Sequence, residues 1–293
     1  MTINTLKYLE QEVIDFLNRL LDVVKDKSFS DYVLLLSRAS YQVENENTLV
    51  SPYVIQSNLE LRQDESRQRF LHSYLNQYVS SVQESVFPSV EIAEFNYNLQ
   101  LMLYSHVWES HRFLMNLKRI SSILSGKGYA WRIPFEHASS RKDKSKMIPI
   151  NRGKFIKEQI LEPLMLVDHK IYEFLSSIYD GTIRNSYSHS MYFIDMDGGK
   201  LEFLKCDTYS TEKEIDFCEW EDLFVETVLF SYHLTRLLSE RLNTFVKNYP
   251  NVREVSVNIP SAHNPGLLLE KRIYPMESEY KGRKFVEFCF SGE

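Results

Sequence analysis

Apolar residues recur every three or four positions in one run after another, and this restricts the chain to helical packing. Leu6, Leu9, Val13, Phe16, Leu20 and Val24 trace one such stripe and predict an amphipathic helix over 5–25. A shorter helix is expected over 31–39, followed by a loop over 41–57, where Asn and Glu dominate and Ser51-Pro52 intervenes. Leu61, Phe70, Leu71, Tyr74, Leu75, Tyr78 and Val82 restore the period over 58–85, and Pro88 closes it. Phe95, Leu99, Met102, Phe113, Leu117, Ile120 and Leu124 predict one long helix over 94–125, with Gly126 as its C-cap. Phe155, Ile160, Leu164, Val167, Ile171, Leu175 and Ile178 mark the next. Pro163 predicts a kink or a fresh start near Glu162, and Gly181 is expected to end the helix. Trp220, Leu223, Phe224, Val228, Leu234, Leu237, Leu238, Leu242 and Phe245 carry a last helix to 247. Its start is marked by Asp216 and Glu219 at capping spacing, with Glu221 and Asp222 adding favourable negative charge.

Strand character is confined to two places. The run Met191–Met196, the turn Asp197-Gly198-Gly199 and the run Leu201–Leu204 predict a β-hairpin. Beyond Pro250, Val252–Ile259 alternates, 261–266 is turn-like and Lys284–Phe290 alternates again, so a small sheet is expected, with the hairpin as a candidate member. The fold class is mainly α. The expected divisions are an N-terminal helical region over 1–90, a helical domain with an inserted hairpin over 91–248, and a C-terminal β-rich extension over 249–293. No internal repeat or low-complexity tract is present.

Composition narrows the function classes. The chain has 293 residues, enough for one large domain or two smaller ones, and 43% are hydrophobic, enough for a real core. Its 18 Tyr and 18 Phe are better read as core filling than as base-stacking platforms. A formal charge of −6 argues against non-specific coating of nucleic acid, which draws on many Lys and Arg contacts, and leaves room for a local cleft. Cys206, Cys218 and Cys289 are scattered, with no Cys-x-x-Cys pair, which fits a reducing cytoplasm and offers no zinc site. Met1–Lys7 lacks the pattern of a signal peptide, and no apolar run approaches membrane-spanning length. A soluble cytoplasmic protein without membrane partners is expected.

Several candidate motifs carry little chemistry. Gly126-Lys127-Gly128 matches neither a phosphate-binding Walker loop nor a dinucleotide fingerprint and reads as a turn. His106 and Glu109 share a helix face, as do Val107 and His111, but a metal site would need further ligands, and ordinary histidines are the favoured account. Arg141, Lys142, Lys144, Lys146, Arg152, Lys154 and Lys157 gather around Pro149 and Gly153. They form either a solvated loop or a guide for an RNA backbone.

The segment Gly181-Thr182-Ile183-Arg184-Asn185-Ser186-Tyr187-Ser188-His189 is more specific. If helical, it brings Arg184 and His189 near one face within about a turn and a half. A guanidinium fork fits phosphate oxygens, and an imidazole exchanges protons near neutral pH, a pairing suited to phosphodiester cleavage. The bare spacing recurs in Arg67 to His72 and Arg132 to His137. The second contains Pro134 and the first lies in a polar, solvated stretch, whereas Arg184 alone is followed by another phosphate-capable group, Asn185, and by a hairpin.

Arg184-Asn185-x-x-x-His189, after a long amphipathic helix and before an aromatic strand, an Asp-Gly turn and another long helix, resembles the HEPN (higher eukaryotes and prokaryotes nucleotide-binding) superfamily over roughly 94–247. The resemblance implies an all-helical core, usually dimeric, in which two motif copies face each other to form one metal-independent ribonuclease site without a cofactor. Many members serve in toxin and antiphage systems. In such a site His189 acts as base toward the ribose 2′-hydroxyl or as acid toward the leaving oxygen. Arg184 stabilises charge on the phosphoryl oxygens, and Asn185 orients the phosphate or the histidine. A 2′,3′-cyclic phosphate product follows. Tyr187 stacks on a base or packs in the core.

Other readings stand beside this one. Arg184 could cap the preceding helix or pair with Asp180, with His189 merely starting the hairpin. The chain could be a catalytically inactive HEPN-like module working with a regulatory partner protein. Some family members are controlled by modification of a tyrosine two residues after the motif histidine. Here that position is Met191 and the tyrosine is Tyr192, so the pattern is not matched. The helices of 2–88 could recognise a trigger to which the HEPN-like half responds.

Overall fold

Local capping determines where helices begin. Ser28, in extended conformation, accepts from the Asp31 N–H and opens α2 (Phe29–Leu36) directly after α1 (Ile3–Lys27). The computed structural model describes residues 1–41, 52–55, 58–84, 89–132, 138–139, 147–148, 151–205, 208, 210–248, 254–262, 264, 266–280 and 283–290. After α2 a short antiparallel pair, β1 (Ser40–Tyr41) and β2 (Tyr53–Val54), precedes α3 (Asn58–Glu84), α4 (Val90–Glu109) and α5 (His111–Leu124). A second short pair, β3 (Ala138–Ser139) with β4 (Met147–Ile148), leads to α6 (Arg152–Ile156). Then come a π-helical turn (Lys157–Leu161), α7 (Glu162–Met165), α8 (His169–Ile178) and α9 (Gly181–Ser188). Strands β5 (Tyr192–Asp195), β6 (Lys200–Leu204) and β7 (Thr211–Asp216) follow, then α10 (Phe217–Asn248), β8 (Val255–Pro260), β9 (Leu268–Tyr280) and β10 (Arg283–Phe290). The chain is mainly helical, as its periodicity predicts. No helix among the described residues is long and apolar enough to cross a membrane.

The chain divides into two compact units. The first gathers Met1–Asn18, Ser66–Leu114 and Asn151–Leu234, and the second gathers Arg19–Glu65, Met115–Ile150 and Thr235–Glu293.

In the first unit, Leu101, Tyr104, Trp108, Ile160, Leu164, Leu175, Ile178, Ile183, Trp220, Phe224 and Phe230 form the core. Phe16 stacks on Phe174 at 4.0 Å between ring centroids, and both rings lean on Phe230. Two buried polar side chains are paired inside this core. The Trp220 indole donates to Gln100 at 2.7 Å, and Thr227 donates to the carbonyl of Ile178 at 3.0 Å. The hairpin appears where expected, Asp195 pairing with Lys200 across the Asp197-Gly198-Gly199 turn. A third strand, β7, not anticipated from the sequence, extends it to the order β5-β6-β7.

In the second unit, Leu20, Leu21, Val24, Val33, Leu34, Leu117, Ile120 and Leu124 pack with Phe245 and the inward residues of β8. Arg119, fully buried, donates through Nη2 to the carbonyl of Ala39 at 2.7 Å and lies over the Tyr129 ring. The C-terminal sheet has the order β10-β9-β8 and is separate from the hairpin's sheet, contrary to the shared sheet entertained above.

Other expectations are corrected. The single helix over 94–125 is broken at Ser110, whose extended ψ of 110° ends α4 and lets α5 start again. Gly181 does not end a helix: α8 stops at Ile178, and Gly181 begins α9. Asp216 closes β7 directly before the last helix, which starts at Phe217 as the capping spacing predicts. On α4, Phe95 and Met102 are exposed although their spacing marks them as core, because the helix buries the face of Leu101, Tyr104 and Trp108 instead. Pro163 does mark a fresh start, lying in the first turn of α7 just after the π-helical turn.

Candidate active site

The position of Arg184 is set by the residue four places before it. Asp180 is extended, and its carboxylate accepts from the N–H groups of Thr182 at 2.8 Å and Ile183 at 3.1 Å, which caps α9. The other carboxylate oxygen of Asp180 pairs with Lys213. Helical rotation then turns Ile183, Arg184 and Ser186 inward and leaves Asn185 exposed.

An arginine that is only 9% exposed needs a carboxylate, because burial of an unpaired charge is costly. Glu109, the last residue of α4, provides it. Its Oε1 accepts from Arg184 Nε at 2.6 Å and also from Nη2. Arg152 reaches the other oxygen, Nε to Oε2, at 3.6 Å. Arg184 is therefore not paired with Asp180, which is occupied by its own helix and by Lys213. Arg184 Nη1 donates to Asn185 Oδ1 at 3.2 Å, so the two neighbouring motif side chains hold each other.

Tyr179 and Gly153 border the Nη1 side of the guanidinium. A Cβ on Gly153 would stand 3.3 Å from the Tyr179 hydroxyl and 3.7 Å from Arg184 Nη1, so any larger residue would fill this space. Burial raises the Tyr179 pKa, the Arg184 charge opposes that rise, and Asp180 and Glu109 add to it. The Tyr179 ring is held edge-on by Trp108, centroids 4.7 Å apart.

His189 lies at the end of α9, exposed, with its backbone N–H donating to the carbonyl of Asn185 at 3.1 Å. The chain then reverses through Ser190 at φ +54°. Ser190 donates to Tyr187 O at 3.0 Å and Met191 to Ser186 O at 2.7 Å, the paired bonds of a Schellman ending. Tyr187 stacks on Tyr192 at 5.8 Å, and Tyr192 donates to Asn98 Oδ1 at 2.6 Å. With Arg184 against Glu109 and Tyr192 against Asn98, the segment from α9 into β5 runs antiparallel to α4, against which α9 packs.

Helix α4 also carries an exposed imidazole. His106 stands one turn before Glu109, and its pKa is lowered by partial burial and then by Arg67, with Glu109 opposing. Arg67, from α3, is itself anchored on the Ser110 hydroxyl.

The structure thus joins Arg184 to Asn185 and places His189 at the end of the same helix. Tyr187 is engaged with Tyr192. Arg141, Lys142, Lys144 and Lys146 lie outside the described residues, as does His137 of the alternative Arg132 spacing. Glu109, Arg152, Gly153 and Tyr179 belong to the cluster; of these the sequence reading singles out Arg152 alone, as one of the cations of a solvated loop or RNA guide. The shared face of His106 and Glu109 is the local signal for Glu109, and metal binding is not the only chemistry it suits. Among the described residues, no group of three or more His, Cys, Asp and Glu side chains could hold a metal ion. Comparison of the chain with family models, curated proteins and solved structures finds no match.

Proposed function

We propose that the chain is a metal-independent endoribonuclease of the HEPN type, acting in a toxin or antiphage setting. The observation that carries this reading is the arrangement on α9: a guanidinium fixed by Glu109 and Asn185, with an exposed imidazole at the end of the same helix. Arg184 supplies a preset positive charge for the phosphoryl oxygens, and such preorganisation costs nothing at the moment of reaction. His189 exchanges a proton with the 2′-hydroxyl or the leaving 5′-oxygen. The internal 2′-oxygen is the nucleophile, and the product ends in a 2′,3′-cyclic phosphate. Pairing of two copies through the motif face belongs to the same proposal. It is supported by the exposed apolar side chains Ile92, Phe95 and Met102, which share α4 with His106 and Glu109.

One observation favours a second reading, an inactive HEPN-like module that binds a regulatory partner. Glu109 already occupies one edge of the Arg184 guanidinium, so part of the charge that would meet a phosphate is spent internally. RNA cleavage by the purified chain in EDTA separates the two. Cutting with cyclic-phosphate ends, lost in His189→Ala and Arg184→Ala proteins of unchanged fold, supports the nuclease. Equal inertness of all three on several RNAs supports the binding module, and cleavage surviving both substitutions places any activity elsewhere.

A further inference from the structure

We infer that Arg152 and Arg184 together form the phosphate site, and that Glu109 is a latch whose carboxylate stands in it until an RNA phosphodiester displaces it. The inference rests on the ribonuclease reading above and adds to it a second phosphate-holding arginine and a means of control.

The geometry is that of one anion between two guanidiniums. Glu109 Oε1 accepts from Nε and Nη2 of Arg184, and Oε2 faces Nε of Arg152 at 3.6 Å. The Nε and Nη2 edge of an arginine is a fork that fits anions with two oxygens, and a phosphodiester presents such a pair as a carboxylate does. The edge that would take a phosphate is therefore the edge that Glu109 fills. Arg184 Nη1 is committed elsewhere, donating to Asn185 on the side bordered by Gly153.

The three side chains differ in how firmly they are held. Arg184 is nearly buried, on a helix capped by Asp180, and is tied at Nη1 to Asn185. Arg152 opens α6, whose cap Asn151 accepts from the Lys154 N–H at 3.2 Å. Glu109 is 40% exposed and is the last residue of α4, directly before the extended Ser110. The negative end of a helix dipole disfavours a carboxylate, so the two arginines are what hold it there.

The carboxylate is accordingly the group that moves. Swinging into water restores its hydration but leaves a nearly buried guanidinium unpaired, which is costly. The site therefore opens only in exchange for another anion. Lys154 and Lys157, exposed on the stretch that follows Arg152, extend the positive charge toward neighbouring phosphates of a bound backbone.

The test uses the full chain and a labelled 2′-O-methyl RNA, which lacks the attacking hydroxyl, so binding is read without cleavage. Fluorescence anisotropy gives Kd for the native protein, Glu109→Gln, Arg152→Ala, the double variant and Glu173→Gln, each checked by circular dichroism to be folded at the assay temperature. Glu173, exposed on α8, carries the same charge and controls for a general electrostatic gain. Glu109→Gln should bind about tenfold more tightly than native, Arg152→Ala about tenfold more weakly, and Glu173→Gln within about twofold of native. In the double variant the gain from Glu109→Gln should shrink, because the two residues act at one site. A folded Glu109→Gln protein that gains no more affinity than Glu173→Gln overturns the latch. Unchanged affinity in Arg152→Ala overturns the second arginine, and that result is read without any change at Glu109. Cleavage of ordinary RNA in EDTA, followed in parallel, separates the two levels. The expected binding pattern with no cleavage overturns the ribonuclease reading and keeps the phosphate site, whereas cleavage with unaltered Glu109→Gln binding removes the latch alone.

Discussion

Glu109 Oε1 accepts from both Nε and Nη2 of Arg184, joining the end of α4 to the middle of α9 across 75 residues of chain. The carboxylate stabilises the charge of a nearly buried guanidinium and holds its plane in one orientation. Its own side chain is 40% exposed, so water reaches the pair and tempers the energy. Glu109→Ala should therefore destabilise the protein by about 2 kcal/mol, below the range for fully buried pairs. Glu109→Gln, which keeps an acceptor, should cost less. Urea denaturation of both variants measures this, and no difference from native would show that Arg184 is held by other contacts.

Asp180 caps α9 with one oxygen and pairs with Lys213 through the other. Asp180→Ala should cost about 1–2 kcal/mol through the lost cap. If the site is catalytic, cleavage should fall as well, because the first turn of α9 carries Arg184. Asp180→Asn retains a capping oxygen and should recover most of the stability. Thermal unfolding of the two proteins side by side decides the point.

Ser190 adopts φ +54° in the Schellman ending that follows His189, a conformation in which a side chain is strained and glycine is not. Ser190→Gly should stabilise the protein by about 0.5–1 kcal/mol, offset in part by the greater freedom of the unfolded chain. A lowered melting temperature would mean that the seryl side chain contributes more than its backbone costs.

His106 titrates below its ordinary value of 6.5 in the folded chain. Between the two pKa values the unfolded chain binds the extra proton, so stability falls as pH drops through about 6.5 towards the folded value, and pH above that window has no effect through this group. His106→Gln should lose less stability than native between pH 7 and pH 5.5. Melting temperatures at the two pH values measure the slope, and identical slopes would show that His106 titrates alike in both states.

Gly153→Val should disturb the site more than the fold. Its side chain would enter the space bounded by Asn151 Oδ1, the Tyr179 hydroxyl and Arg184 Nη1, where even a methyl group stands at 3.2 Å, 3.3 Å and 3.7 Å. Binding of a 2′-O-methyl RNA, followed by fluorescence anisotropy, should weaken at least tenfold with a melting temperature near native. Unchanged affinity would place the RNA elsewhere.

Much of the architecture was legible from local pattern. The period of Leu6 to Val24 gave α1, Gly126 at φ +71° closes α5 as anticipated, and the Asp197-Gly198-Gly199 turn pairs the strands around it. The errors also have physical causes. Phe95 and Met102 continue an apolar stripe that reads as core, but a helix with apolar residues on more than one face chooses which to bury by what packs against it. The break at Ser110 was hidden because a single extended residue leaves little trace in the period on either side.

The sequence by itself determined that the chain is mainly helical, that a hairpin follows Arg184-Asn185-x-x-x-His189, and that Arg184 and Asn185 are neighbours on one helix. These follow from period, capping and turn chemistry, which act over a few residues. Only the tertiary structure decided that Glu109, Arg152, Gly153 and Tyr179 surround the guanidinium. It also decided that each compact unit gathers separated stretches of chain. Contacts across tens of residues depend on which helix faces meet, and no local preference encodes that choice, because it is set by burying apolar surface over the whole chain at once.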